Sequence, residues 1–242
     1  MPNAPRKKIL PHLSRRMGRF PGDTAQPRSG ARSNVRRGLA AAALLVALFA
    51  AFTMVEKAQS VGRPSVDGTV RVTDCDRLAA HPSDTQKIAP GVRQEQVDIA
   101  KGKAACTAAL KRRPGDGRTL YQLGRMYFYD KDAITGIDYF RQSAAAGYPN
   151  GMFVLGLILI QGNGTEPDTC GGGRLWVTAA RALHLYSKIY LANNWRDGMF
   201  KDCGLEIAEP EIAAMLTAAG ELIESPQEQD DLDQAKANWA KP

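Results

Sequence analysis

The sequence is poor in the residues from which most enzyme sites are built. Its 242 residues hold three histidines and four cysteines, and none of them stands at a CxxC or HxxxH spacing, so a local zinc ligand set is missing. A GxSxG elbow, a GxxxxGK[ST] loop and a strand-led GxGxxG are absent as well, which removes the local signatures of serine hydrolases and of nucleotide-binding folds. Ser143 and Ser187 fall in helical patterns. Gly162-Asn163-Gly164 and Gly171-Gly172-Gly173 match neither phosphate loop and read as turn punctuation. Asp230, Asp231 and Asp233 lack the loop glycine of a calcium site and read as the solvated start of a helix. His184 is the one imidazole placed where a general base could act, and a packed histidine is the simpler reading. No cofactor and no metal are expected.

A basic surface is missing too, once the charge is located. The formal net charge is +7, but residues 1–37 carry ten Lys/Arg against the single acid Asp23, while the remainder carries 22 basic and 24 acidic residues. The body offers no broad electrostatic footprint for phosphate, so nucleic acid is not an expected partner. The tail, with Pro2, Pro5, Pro11, Pro21 and Pro27 among its charges, has the composition of a disordered segment.

What the chain does contain begins at Gly38–Val55, an apolar run of 18 residues without a charge. As a helix it spans about 27 Å, close to the hydrocarbon thickness of a bilayer, and it lacks the polar face of a core helix. Basic residues end at Arg37 and Glu56 follows the run, which orients the tail to the cytoplasm and the body outside. A cleaved signal peptide is the competing reading, since Ala58 and Ser60 suit a signal peptidase and Met17 could be the true start. Both readings export the body: the location expected is the bacterial inner membrane, single-pass with a periplasmic body, or the periplasm after cleavage.

All four cysteines, Cys75, Cys106, Cys170 and Cys203, lie beyond that run. An even number in an exported domain predicts two disulfides. Three pairings are possible, with free thiols or a metal as further alternatives. The sequential pairing Cys75–Cys106 and Cys170–Cys203 is favoured, because separations of 31 and 33 residues can join neighbouring helices.

The expected organisation is a tail (1–37), the apolar helix (38–55), a linker (56–73) and an all-α body (74–242). Within the body, Cys75–Ala80 reads as a short helix closed by His81-Pro82, and Glu95–Arg113 as a longer one ended by Pro114-Gly115. Leu120, Leu123, Gly124 and Tyr127 then form one helical face, and Met152, Leu155, Gly156 and Leu159 repeat it 32 residues later. A helical glycine costs about 1 kcal/mol against alanine, so its return at the same place predicts a close approach of two helix backbones. Between the two faces lies the helix Asp132–Ala146, with Gly147 as its C-terminal cap and Pro149 barring continuation. Such a helix pair cannot bury its apolar face alone, and stacking is the physical solution. Further on, Ala182–Asn193 reads as helix, 194–204 as loop, Pro210–Glu224 as helix, and Ser225-Pro226-Gln227-Glu228 as a capping box opening a polar helix to Ala240.

Tyr139-Phe140-Arg141-Gln142-Ser143-Ala144-Ala145-Ala146-Gly147, followed by Phe153-Val154-Leu155-Gly156 and by Gly162-Asn163-Gly164-Thr165 with Asp168, resembles Sel-one-like repeats (SLR), relatives of tetratricopeptide repeats. Trp176 with Ala179-Ala180 is similar to the next second helix. The resemblance covers about residues 118–181; the first unit lacks the Gly-x-Gly loop and the unit after Ala180 lacks the glycine. It implies a short right-handed solenoid of stacked antiparallel helix pairs whose first helices line a concave face. Tyr121, Arg125, Phe128 and Tyr129 from one unit, with Phe153, Leu157 and Gln161 from the next, are then the partner-binding candidates, Tyr and Arg being typical of interface hot spots. The implied function is a non-catalytic adaptor for a protein or peptide partner in the cell envelope. The alternative is an envelope enzyme acting on cell-wall glycan or peptide near His184, with Tyr186, Tyr190, Trp195 and Asp197 close in sequence.

Overall fold

The computed structural model describes residues 71–241. The basic tail, the apolar run 38–55 and the linker up to residue 70 lie outside the described residues. Among the described residues no helix is long and apolar enough to cross a membrane.

The body is built from helices: α1 (Asp74–Ala79), α2 (Ile99–Arg112), α3 (Gly117–Tyr129), α4 (Ala133–Ala145), α5 (Pro149–Gln161), α6 (Thr169–Arg181), α7 (Leu185–Arg196), α8 (Glu209–Ala218) and α9 (Pro226–Trp239). Short 3-10 turns cover Gln94–Gln96 and Ala219–Leu222. Their starts follow from side-chain capping. Asp98, Asp116, Asp132 and Asp168 each accept a bond from the backbone N–H three residues on, opening α2, α3, α4 and α6. Their ends follow from a residue in the left-handed region: Lys131, Gly147, Gly162, Leu183 and Gly198 close α3 to α7 in turn. In each of those turns a backbone N–H reaches back five residues, as Tyr148 does to the Ser143 carbonyl.

Packing is most extensive between α3 and α4 and between α5 and α6, and successive pairs stack on one another. The two helical glycines hold equivalent positions. A Cβ on Gly124 would lie 2.9 Å from the Phe140 ring and 3.0 Å from the Gly136 carbonyl oxygen; on Gly156 it would lie 2.5 Å from Trp176 Nε1 and 3.1 Å from the Gly172 carbonyl oxygen. The expected close approach is therefore present in both units, and it is reciprocal, because a Cβ on Gly136 would lie 3.0 Å from the Gly124 carbonyl oxygen and one on Gly172 2.7 Å from that of Gly156. The body is an all-helical repeat of stacked helix pairs.

Several boundaries differ from expectation for local reasons. Glu95–Arg113 is divided, because Asp98 caps a fresh helix at Ile99. Gly171-Gly172-Gly173 is not a turn but the first turn of α6, where Gly172 meets the α5 backbone and Gly173 meets Phe200. Ala182–Leu183 is a turn and α7 begins after His184, running on to Arg196. The segment Pro210–Glu224 ends its α-helix at Ala218 and tightens into a 3-10 turn.

Disulfides join Cys75 to Cys106 and Cys170 to Cys203, the pairing expected. The first ties α1 to α2, and the second ties α6 to the loop before α8. Each closure contributes about 3–4 kcal/mol in the loop-entropy picture. The α1 end is further held by the buried Asp76 carboxylate, which accepts from Arg118 Nε at 2.8 Å, Gln122 Nε2 at 3.1 Å and Thr73 N at 2.8 Å. Burial works against that charge, yet the Thr73 bonds and the Arg118 guanidinium hold the carboxyl below its usual range.

Candidate functional site

The first helix of each pair turns one face inward, and Tyr121 of α3, Asn150 and Phe153 of α5 and Tyr186 of α7 meet there. That face is not open. His81 and Ser83, from the segment between α1 and α2, lie against these same four residues, leaving a crevice with room for about one water-sized group.

The segment His81–Gly91 is an Ω-shaped loop. At its neck Val92 N–H donates to the Ala80 carbonyl at 2.8 Å. A Cβ on Gly91 would lie 2.3 Å from Pro82 Cα, so only glycine lets the two strands of the neck close. The Arg125 guanidinium locks it: Nη1 donates to Ala79 O at 3.0 Å and Ala80 O at 2.8 Å, Nη2 to Val92 O, and Nε to the Tyr129 hydroxyl at 2.9 Å. Beyond the neck the loop crosses the first helices of the units. Asp84 accepts from the Tyr148 hydroxyl at 2.6 Å and from Gln86 N–H at 3.0 Å. Ser83 borders the same crevice as Tyr186, whose hydroxyl donates to Asp231 at 3.3 Å. Lys87 pairs with Glu224 before α9. Burial raises the Asp84 carboxyl above its usual range, with the Tyr148 bond in opposition, and burial beside Asp84 raises the Tyr148 phenol well above its own.

This arrangement leaves little of the partner-binding candidates exposed. Arg125 has no exposed surface, and Tyr121 and Phe153 are 1% and 2% exposed. Tyr129 is buried too, while Phe128 and Leu157 are half-buried. Arg125 is satisfied by backbone carbonyls of the chain's own loop, so a partner cannot reach it in this conformation. Phe153 sits at the centre of an aromatic cluster, with ring centroids 4.9 Å from His184, 5.2 Å from Tyr190 and 6.1 Å from Trp176; it is core between units. Gln161 holds the Asn163 side-chain amide at 2.7 Å.

The His184 alternative loses its chemistry as well. His184 is the N-cap of α7 and 1% exposed. Its Nδ1 accepts from Ser187 N–H at 3.1 Å, so the proton resides on Nε2, which donates to Asn150 Oδ1. Burial, with a smaller contribution from His81, pushes the imidazole down to about 3. It is a neutral structural cap with both nitrogens engaged and no carboxylate among their partners. Among the described residues no group of three or more His, Cys, Asp or Glu side chains is placed to hold a metal ion.

What sequence reasoning missed is the loop. Its only local signals are Pro82, Pro90 and Gly91, which announce a turn but not its destination.

No family model matches the sequence, and no curated protein does. Two of the solved structures that match can be described. One is c5321, a protective antigen of uropathogenic Escherichia coli strains displaying an SLR fold, at 19% identity and a TM-score of 0.45. The match covers 57% of this chain and 29% of that one, so this chain spans less than a third of that antigen's length. The other is a Sel1 repeat protein from Oxalobacter formigenes, at 19% identity and a TM-score of 0.44, covering 53% of this chain and 97% of that one.

Proposed function

We propose that the body is an exported, non-catalytic interaction scaffold that holds a protein or peptide partner against the face formed by α3, α5 and α7. The observation that carries this reading is that the face already accommodates a non-helical stretch of polypeptide, His81–Gly91, whose Asp84 accepts from the Tyr148 hydroxyl and whose His81 and Ser83 lie against Tyr121, Asn150, Phe153 and Tyr186. Two disulfides belong to an oxidising compartment, which supports export. The apolar run 38–55 supplies the address, the cell envelope, with the body on the periplasmic side.

The test is in-cell crosslinking of the full chain followed by identification of what it carries. Leu157→Lys changes the half-buried edge of the face, and its long stem keeps the charge in water. A partner recovered with the wild type and lost with Leu157→Lys, the variant remaining folded with both disulfides, is the expected result. Recovery that ignores the substitution removes this face from the function. N-terminal sequencing of the native protein separates a retained anchor from a mature start near Val61.

A further inference from the structure

The loop and the face beneath it fit each other incompletely. Because His184 Nε2–H claims Asn150 Oδ1, the other end of that amide points away from His184. Asn150 is 4% exposed, yet its Nδ2 finds no acceptor among the described residues. It borders the crevice under His81 and Ser83. On the loop itself, Thr85 Oγ1 is buried without a partner. The Asp84 carboxyl is carried into a buried position that opposes its charge. The neck, by contrast, is fully bonded through Arg125, Val92 and Ala80. A permanent core element ordinarily satisfies its buried polar atoms; the neck does so, while Thr85 Oγ1 on the loop and Asn150 Nδ2 beneath it do not.

We propose that residues Pro82–Pro90 act as an internal pseudo-ligand, and that the partner is a polypeptide segment which displaces them, presenting a carboxylate to Tyr148 and an acceptor oxygen to Asn150 Nδ2. The inference rests on the scaffold reading above and names the chemistry of its partner. Arg125 keeps the neck closed throughout, so the tip leaves the face while Ala79, Ala80 and Val92 stay bonded. An incoming segment gains over the loop by meeting Asn150, and it meets competition from a tethered rival already in place.

The probe is a fluorescent peptide with the sequence of residues 80–93, used in anisotropy titrations against the full chain. In one variant residues 82–90 become a Gly/Ser stretch of equal length, which keeps Gly91 and the Arg125 bonds. That variant is expected to bind the peptide at least tenfold more tightly than the wild type. Adding Tyr148→Phe to it costs about tenfold, the worth of one hydrogen bond to a charged group. Asp84→Ala in the otherwise intact chain falls between wild type and the loop replacement. A loop replacement with both disulfides and wild-type helix content that does not bind, or that binds no better than wild type, overturns the proposal. Should the replacement fail to fold, hydrogen exchange on the wild type decides. Amides of 82–90 that exchange far faster than those of α3 and α5 sustain the pseudo-ligand, and amides that open only with global unfolding make it a permanent plug. Failed peptide binding with Leu157-dependent capture intact sinks this inference alone; lost capture with peptide binding intact sinks the scaffold reading instead.

Discussion

In the first helix pair Gly124 faces Phe140 and the Gly136 carbonyl; in the second Gly156 faces Trp176 and the Gly172 carbonyl. The crossing is the same, backbone against backbone with one aromatic ring laid over the gap. One residue further along, the two pairs part. The first pair carries a buried Arg125 where the second carries a half-buried Leu157. At this position the first unit is finished by polar bonds to the neck of the loop, the second by apolar contact. A repeat therefore fixes how two helices cross, while the inward face is free to be completed by whatever the chain supplies.

The sharpest break in that symmetry is Arg125. Arg125→Met keeps the stem and removes the donors, leaving the Ala79 and Val92 carbonyls without their guanidinium partner and Ala80 with the Val92 N–H alone. Unpaired buried groups of this kind are expected to cost about 3–5 kcal/mol together. Leu157→Ala, at the matching place, is expected to cost about 1–2 kcal/mol, because the side chain is only half-buried. Urea unfolding with both disulfides intact measures the two, and equal losses would show that the loop neck adds nothing to the first unit.

How much of this was legible in the sequence follows from the range of each interaction. The period of Leu120, Leu123 and Gly124 and its return at Met152, Leu155 and Gly156 are local patterns, and they led to the stacking and to the glycine contact. The cysteine pairing was legible because each partner lies about one helix pair away. Arg125 was not, because its acceptors sit on residues 79–92 and no helical period points to them. An arginine beside Tyr121 and Tyr129 reads as an exposed hot spot when the segment that buries it has no signature of its own. The glycines at 171–173 misled for the converse reason: their local preference is a turn, and only the nearness of α5 makes them helix.

The shared crossing yields the next prediction. Alanine at either glycine gains about 1 kcal/mol of helix propensity and loses about 1–3 kcal/mol to overpacking. The carbonyl clash is nearly equal in both, at 3.0 and 3.1 Å, so the ring decides. Trp176 Nε1 donates to the Phe153 carbonyl at 3.1 Å, which holds the indole in place. Phe140 has no polar atom to be held by and can slide. Gly156→Ala is expected to destabilise by about 2 kcal/mol and Gly124→Ala by less than about 1 kcal/mol, read from thermal unfolding of the full chain. The reverse order would mean that the indole is not held by its hydrogen bond.

The smallest effect lies where the two units end. After α4 the left-handed position is Gly147, with φ 80°; after α6 it is Leu183, with φ 62°. The bonds around them match: Tyr148 N–H reaches Ser143 O at 3.1 Å, and His184 N–H reaches Ala179 O at 3.0 Å. The turn is thus made in both units, but in the second a branched side chain is carried through a region that glycine enters freely. Leu183 recovers little for that strain, since it is 59% exposed. Leu183→Gly is expected to stabilise the fold by about 0.5–1 kcal/mol, the relief of strain exceeding the entropy that glycine adds to the unfolded chain. Gly147→Ala is expected to destabilise by a similar amount, for the same reason with the sign reversed. Chemical unfolding of both variants reads the pair directly. If Leu183→Gly instead lowers stability, the leucine contributes a contact that outweighs its backbone, and the two turns are equivalent in path but not in energy.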